Sequence, residues 1–127
     1  MEKISFIRGD TFPMKFQILD SERNVVPKSE LETLYLTCRK FNSLDSPKLF
    51  QKKIEDFVYD DEDGFYYIAF NPEDTRKLNY GTYNFDIEAT FKDGYINTLK
   101  SSFEITEETT IYEGENIWVL MLDILVK

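Results

Sequence analysis

Hydrophobic and polar residues alternate along much of this chain, most cleanly between Thr82 and Lys92. Tyr83, Phe85, Ile87, Ala89 and Phe91 take one parity; Thr82, Asn84, Asp86, Glu88, Thr90 and Lys92 take the other. A period of two held this long predicts an antiparallel strand with one buried face and one wet face. Asp93-Gly94 follows, a pair favoured in type I′ hairpin turns, where both central residues need positive φ. The chain returns through Tyr95 to Ile105 with Leu99, Phe103 and Ile105 on one face. A long hairpin is the firmest expectation.

Shorter stretches repeat the pattern. Ile4 and Phe6 suggest a first strand, and Phe12, Met14, Phe16 and Ile18 a second that ends in the polar turn Asp20 to Asn24. Leu34, Leu36 and Cys38 alternate with Tyr35, Thr37 and Arg39. Lys48 to Val58 holds a less regular strand, and Phe65 to Phe70 an aromatic one with Tyr66, Ile68 and Phe70 as the core parity. Pro72 to Leu78 has Pro at a first helical position and acids in the first turn, so one short helical turn is expected.

About seven strands separated by turn signals predict a β-sandwich. Leu78-Asn79-Tyr80-Gly81-Thr82-Tyr83 has the form of a tyrosine corner, with Tyr83 sending its hydroxyl back to an upstream backbone group and Gly81 opening the strand. The expected fold class is all-β: an immunoglobulin-like antiparallel β-sandwich of about seven strands, with one short helical turn and an apolar C-terminal element. Residues 1–110 form the sandwich domain, and 111–127 a C-terminal arm or last core element.

Composition narrows the chemistry. The chain has 127 residues, enough for one domain with a core that needs no disulfide or metal staple. One Cys and no His exclude an internal disulfide, a Cys/His zinc site and any His-activated nucleophile. A net charge of −9 argues against a nucleic-acid partner. The opening MEKISFIRGDTF has no apolar signal core, and the apolar run from Ile117 to Val126 is too short to span a membrane. No Gly-x-Ser-x-Gly elbow, P-loop or Gly-x-Gly-x-x-Gly is present. No enzyme activity, catalytic residue, cofactor or metal is therefore expected, and synthesis is expected in a reducing cytoplasm.

Several pieces in succession resemble a recurrent phage domain. They are Ile7-Arg8-Gly9-Asp10-Thr11-Phe12, Asn71 to Leu78, Gly81-Thr82-Tyr83-Asn84-Phe85-Asp86-Ile87, the Asp93-Gly94 turn, Thr98-Leu99, and Phe103-Glu104-Ile105 before Glu108-Thr109-Thr110. The order is similar to small Ig-like virion proteins of tailed phages and prophages, including N-terminal domains of baseplate upper proteins. The resemblance implies a non-enzymatic structural component of a phage or prophage particle, associated with tail or baseplate. It also implies synthesis in a bacterial cytoplasm, virion association, and contacts with other virion proteins or with itself. Residues 42–58 are longer and more charged than the family's middle, and 111–127 has no counterpart; the particular role is expected in those two stretches.

Individual motifs have competing readings. Arg8-Gly9-Asp10 matches an integrin-binding tripeptide, but an intracellular chain favours a turn opened by Gly9. Asp60 to Asp63 offers hard oxygens, yet EF-hand spacing puts Tyr59 at the first ligand position, so a solvated turn is expected. Cys38 lies on an apolar parity and reads as an inert buried thiol. Tyr35, Tyr67, Tyr80, Tyr95 and Tyr112 are not assigned to the core, which raises an alternative: a carbohydrate-binding or host-surface recognition module stacking sugars on exposed rings.

The C-terminal run supplies the expected interaction residues: Ile117, Trp118, Leu120, Met121, Leu122, Ile124 and Leu125. As a helix, Ile117, Leu120, Met121, Ile124 and Leu125 form a stripe; as a strand, Trp118, Leu120, Leu122, Ile124 and Val126 form a face. Either form is apolar on both sides. It serves as a last core element or as an arm that makes a homo-oligomer by docking on a neighbour, with Glu113-Gly114-Glu115 as its hinge.

Overall fold

Strand-forming alternation becomes two stacked sheets in the computed structural model, which describes residues 4–106 and 118–122. The expected arm residues Ile117, Ile124 and Leu125, the hinge at Glu113 to Glu115, and Tyr112 lie outside the described residues. The strands are β1 (Ile4–Ile7), β2 (Phe12–Ile18), β3 (Leu31–Arg39), β4 (Lys48–Lys52), β5 (Val58–Asp60), β6 (Phe65–Phe70), β7 (Gly81–Phe91), β8 (Ile96–Thr106) and β9 (Trp118–Leu122). One helical turn, α1 (Pro72–Thr75), precedes β7. The five-stranded sheet runs β1-β8-β7-β3-β4 and the four-stranded sheet β5-β6-β2-β9. The chain is an all-β, Ig-like sandwich.

Apart from the irregularity between Leu31 and Thr33 of β3, alternate residues of the long strands point between the sheets. Met14, Phe16 and Ile18 meet Leu34, Leu36 and Ile87 in an apolar core with less than 2% exposure at each. Phe70 packs edge-on against Phe50 and Phe85, and Phe16 stacks on Tyr66 with centroids 5.3 Å apart. The Tyr66 hydroxyl donates to the Val26 carbonyl at 2.6 Å, so the ring is buried without an unpaired oxygen. At the corner, the Tyr83 hydroxyl donates to the Asn79 carbonyl at 2.7 Å, and Gly81 has φ +136°.

Three expectations need correction. Lys48 to Val58 is two strands: a 3-10 turn at Ile54–Asp56 carries the chain from β4 in one sheet to β5 in the other. Together with β9, that division turns seven expected strands into nine among the described residues. The sandwich is also only mostly antiparallel, because β1 pairs parallel with β8 and β2 parallel with β9. Finally, the β7–β8 turn is not type I′. Asp93 keeps a negative φ and accepts the Tyr95 N–H on its carboxylate at 2.9 Å, while Gly94 alone is left-handed at φ +92°. The Gly94 N–H donates to Phe91 O and the Phe91 N–H to Tyr95 O, closing a three-residue loop with a glycine bulge.

Candidate functional site

Both sheets end together on one side of the sandwich. β4 is the last strand of the five-stranded sheet, β5 that of the four-stranded sheet, and residues 53–57 join them. Among the described residues no strand pairs with the outer side of either. The loop from β3 to β4 instead folds over the outer face of the five-stranded sheet, towards Asn84 and Asp86 of β7 and Lys100 of β8, and is fastened from within. The Ser43 carbonyl takes the Ser46 N–H at 3.0 Å, the Ser43 hydroxyl takes the Asp45 N–H at 3.2 Å, and the Ser46 hydroxyl takes the Phe41 N–H at 3.2 Å. Closure by backbone and serines leaves the large side chains outside: Phe41 is 65% exposed and Leu44 90%.

Leu49 on β4 is 38% exposed and Val58 on β5 64%, so four of the six large exposed hydrophobic residues among those described fall within residues 41–58. They do not share one surface: Phe41 and Leu44 rim a cleft over β7 and β8, whereas Val58, in register with Tyr67, lies on the outer face of the four-stranded sheet, so the pair on the loop is the exposed apolar feature to explain. Charges of both signs are exposed along this stretch: Lys48 and Lys53, then Glu55 and Asp56, then Asp60, Asp61 and Glu62.

Under the loop lies a shallow cleft on the outer face of the five-stranded sheet, lined by Thr37, Arg39, Phe41, Leu44, Asn84 and Asp86. Arg39 Nε donates to the Ser46 carbonyl at 3.0 Å, and its Nη1 stands 3.9 Å from Asp86 Oδ2. Burial pushes the Asp86 carboxyl above the usual carboxylate range, against the pull of Arg39, Lys100 and Lys48. Asn84 Nδ2 donates to the Lys40 carbonyl at 3.0 Å, and Gln51 Nε2 to the Thr37 hydroxyl at 2.9 Å. These polar groups hold the loop against the sheet. They form a rigid base beneath an apolar rim, a geometry suited to recognition by shape and charge.

The sequence candidates disperse. Tyr35 lies on β3 and Tyr67 on β6, in different sheets. Tyr80 precedes β7 and Tyr95 follows it, so eleven strand residues separate them, roughly 36 Å at ~3.3 Å per residue. Tyr80 holds the Arg8 guanidinium 4.4 Å from its ring centre, and Tyr95 packs on Phe91. No common aromatic platform forms from these four, so the sugar-stacking alternative is corrected. Each ring went where its own strand or turn needed it.

Arg8-Gly9-Asp10 is a turn: the Asp10 N–H donates to the Ile7 carbonyl at 3.1 Å, Gly9 has φ +84°, and Arg8 Nη1 donates to the Leu78 carbonyl at 3.2 Å. In the acidic turn, Asp60 Oδ1 accepts the Glu62 N–H and Asp63 Oδ1 the Phe65 N–H, both at 2.8 Å. The Tyr67 hydroxyl donates to the other Asp63 oxygen, which holds that carboxyl below its ordinary range and raises the phenol to about 12. Among the described residues no three His, Cys, Asp or Glu side chains group to hold a metal ion. Burial, with a smaller push from Asp74, raises the Cys38 thiol to about 12. Trp118, Leu120, Met121 and Leu122 belong to β9, in register with Met14, Phe16, Gln17 and Ile18 of β2.

Sequence reading missed Phe41 and Leu44 as candidates. The available signal was the extra length and charge of residues 42–58.

No family model matches the chain, and no curated protein matches it. Among solved structures it is similar to CopC from Methylosinus trichosporium OB3b, with 10% sequence identity, a TM-score of 0.46, and coverage of 88% of this chain and 91% of that one. The comparisons thus return a CopC and no phage protein, and the expected role as a structural component of a phage or prophage tail or baseplate is corrected. The motif succession behind that expectation consists of turns, a helix cap and a tyrosine corner. Those are requirements of the sandwich itself, and they say nothing about what it serves.

Proposed function

We propose that the chain is a non-catalytic recognition module that engages another polypeptide through the β3–β4 loop and the cleft beneath it. The observation carrying this reading is the display of Phe41 and Leu44, 65% and 90% exposed, on a loop closed by its own backbone and serines above a cleft shared with β7 and β8. An apolar rim over a cleft with fixed polar groups can hold a short polypeptide segment, with Phe41 and Leu44 supplying contact area. The chemistry nearby supports binding over turnover. Arg39 and Asp86 are engaged in holding the loop, and the Cys38 thiol is buried.

Selection from a displayed library of random peptides tests this. The native protein should enrich a convergent set of sequences, and Phe41→Ser/Leu44→Ser, which changes only exposed side chains, should lose that set. Absence of convergence, or equal enrichment by the variant, overturns the reading.

A further inference from the structure

The cleft beneath the β3–β4 loop holds cations whose donors are only partly used. Arg39 is fastened through Nε to the Ser46 carbonyl at 3.0 Å, and its side chain is 16% exposed. Its Nη1 stands 3.9 Å from Asp86 Oδ2, beyond hydrogen-bond distance, so the outer end of the guanidinium makes no hydrogen bond among the described residues. Lys100 of β8, in register with Asp86 of β7, is exposed and makes none either. A guanidinium held by its stem nitrogen and open at its fork is a preorganised receptor for a carboxylate.

We infer that the polypeptide bound here presents an acidic side chain beside a large apolar one, the carboxylate received by Arg39 and Lys100 and the apolar group by Phe41 and Leu44. This rests on the reading that the loop and its cleft are the working surface. The cleft lining holds two cations, Arg39 and Lys100, and one carboxylate, Asp86. Lys48, in register with Arg39, also acts on Asp86. Asp45 of the loop, Glu88 of β7 and Glu104 of β8 lie outside the lining. The local balance is thus positive on a chain that carries −9.

Other segments fit less well. A basic side chain reaching Asp86 meets the like charges of Arg39, Lys100 and Lys48, which already act on that carboxyl. An uncharged apolar segment covers the fork of Arg39 without giving its donors an acceptor, and a covered donor left unpaired costs free energy. A carboxylate supplies two acceptor oxygens to that fork while its apolar neighbour covers Phe41 and Leu44. At long range the net charge of −9 repels acidic peptides and attracts basic ones. Nonspecific attraction therefore enriches the opposite sign, and an acidic consensus reports the cleft.

Selection from displayed peptides fused at their C-terminal ends, so that every carboxylate offered is a side chain, tests the inference with one further variant. The native protein should select Asp or Glu beside Leu, Ile, Phe or Trp. Lys100→Glu, a change at an exposed position, should lose the acid from the selected set and keep the apolar residue, which a folding defect would lose as well. In calorimetric titration, replacing the acid of the selected peptide by its amide should weaken binding to the native protein about tenfold. Lys100→Glu should bind the acidic peptide about tenfold more weakly than the native chain does, and the amide peptide as the native chain does. A convergent set without acid, a basic set, or a Lys100→Glu variant that selects and binds like the native chain overturns the inference and leaves the recognition site standing. No convergence at all overturns both.

Discussion

Lys52 on β4 and Asp74 on α1 form a nearly enclosed ion pair, Nζ to Oδ2 2.5 Å, with the two side chains 11% and 13% exposed. The same carboxylate accepts the Asn71 N–H at 2.7 Å and so caps the helical turn that leads to the tyrosine corner. One carboxylate thus ties the edge strand of one sheet to the connection between the sheets. Removing a single partner leaves a desolvated charge: Lys52→Met should cost about 3 kcal/mol in urea unfolding. Lys52→Met with Asp74→Asn should recover part of that loss, since the neutral amide oxygen still accepts the Asn71 N–H. A loss below ~0.5 kcal/mol for Lys52→Met would place the pair with ordinary surface bridges.

Tyr83→Phe removes only the oxygen that binds the Asn79 carbonyl. The ring keeps its stack on Phe103 and its contact with Lys40, whose Nζ lies 4.4 Å from the ring centre. The expected cost is about 1 kcal/mol, the net worth of one hydrogen bond. Chemical denaturation measures it, and the slope of the transition should stay unchanged because the surface exposed on unfolding is the same.

Local periodicity made the core legible. Tyr83, Phe85, Ile87, Ala89 and Phe91 are all buried, as are Tyr66, Ile68 and Phe70, because a strand with one dry face must alternate. The tyrosine corner was legible for the same reason: its parts lie within six residues. The division of Lys48 to Val58 between two sheets was not. It depends on which strands β4 and β5 pair with, and those partners, β3 and β6, lie on either side of the stretch in sequence. The candidate loop was hidden likewise. Phe41 and Leu44 look like core residues by type, and only the way the loop closes over the sheet reveals that they are exposed.

Cys38 is fully enclosed between β4 and β7, opposite Phe50 and Phe85. With the thiol raised to about 12, almost no thiolate exists at pH 8, and the reagent has no path to the sulfur. Labelling by an aromatic disulfide at pH 8 should therefore follow the rate of unfolding, and rise to that of a free thiol in denaturing urea. Rapid stoichiometric labelling of the native protein would contradict the enclosed placement.

The Asp63–Tyr67 pair predicts a difference in the alkaline limb of stability. Tyr67 ionises near the ordinary ~10 in the unfolded chain, whereas in the fold the hydrogen bond to Asp63, with added desolvation and the negative charges of Asp63 and Asp60, raises it to about 12. Between those values the unfolded state has lost a proton that the native state keeps, so stability falls as pH rises. Buried Tyr66, raised mainly by burial, and Cys38 contribute in the same sense. Tyr67→Phe deletes one titration and leaves the others. Its stability should decline less steeply with pH than that of the native chain between pH 10 and 12, measured by urea unfolding at each pH. At the acid end Asp63 acts oppositely. Its lowered carboxyl gives stability present above the ordinary carboxylate value and lost as pH falls through the folded one, a loss that Asp63→Asn should reduce. Parallel curves for native and Tyr67→Phe proteins from pH 10 to 12 would show that the phenol titrates equally in both states.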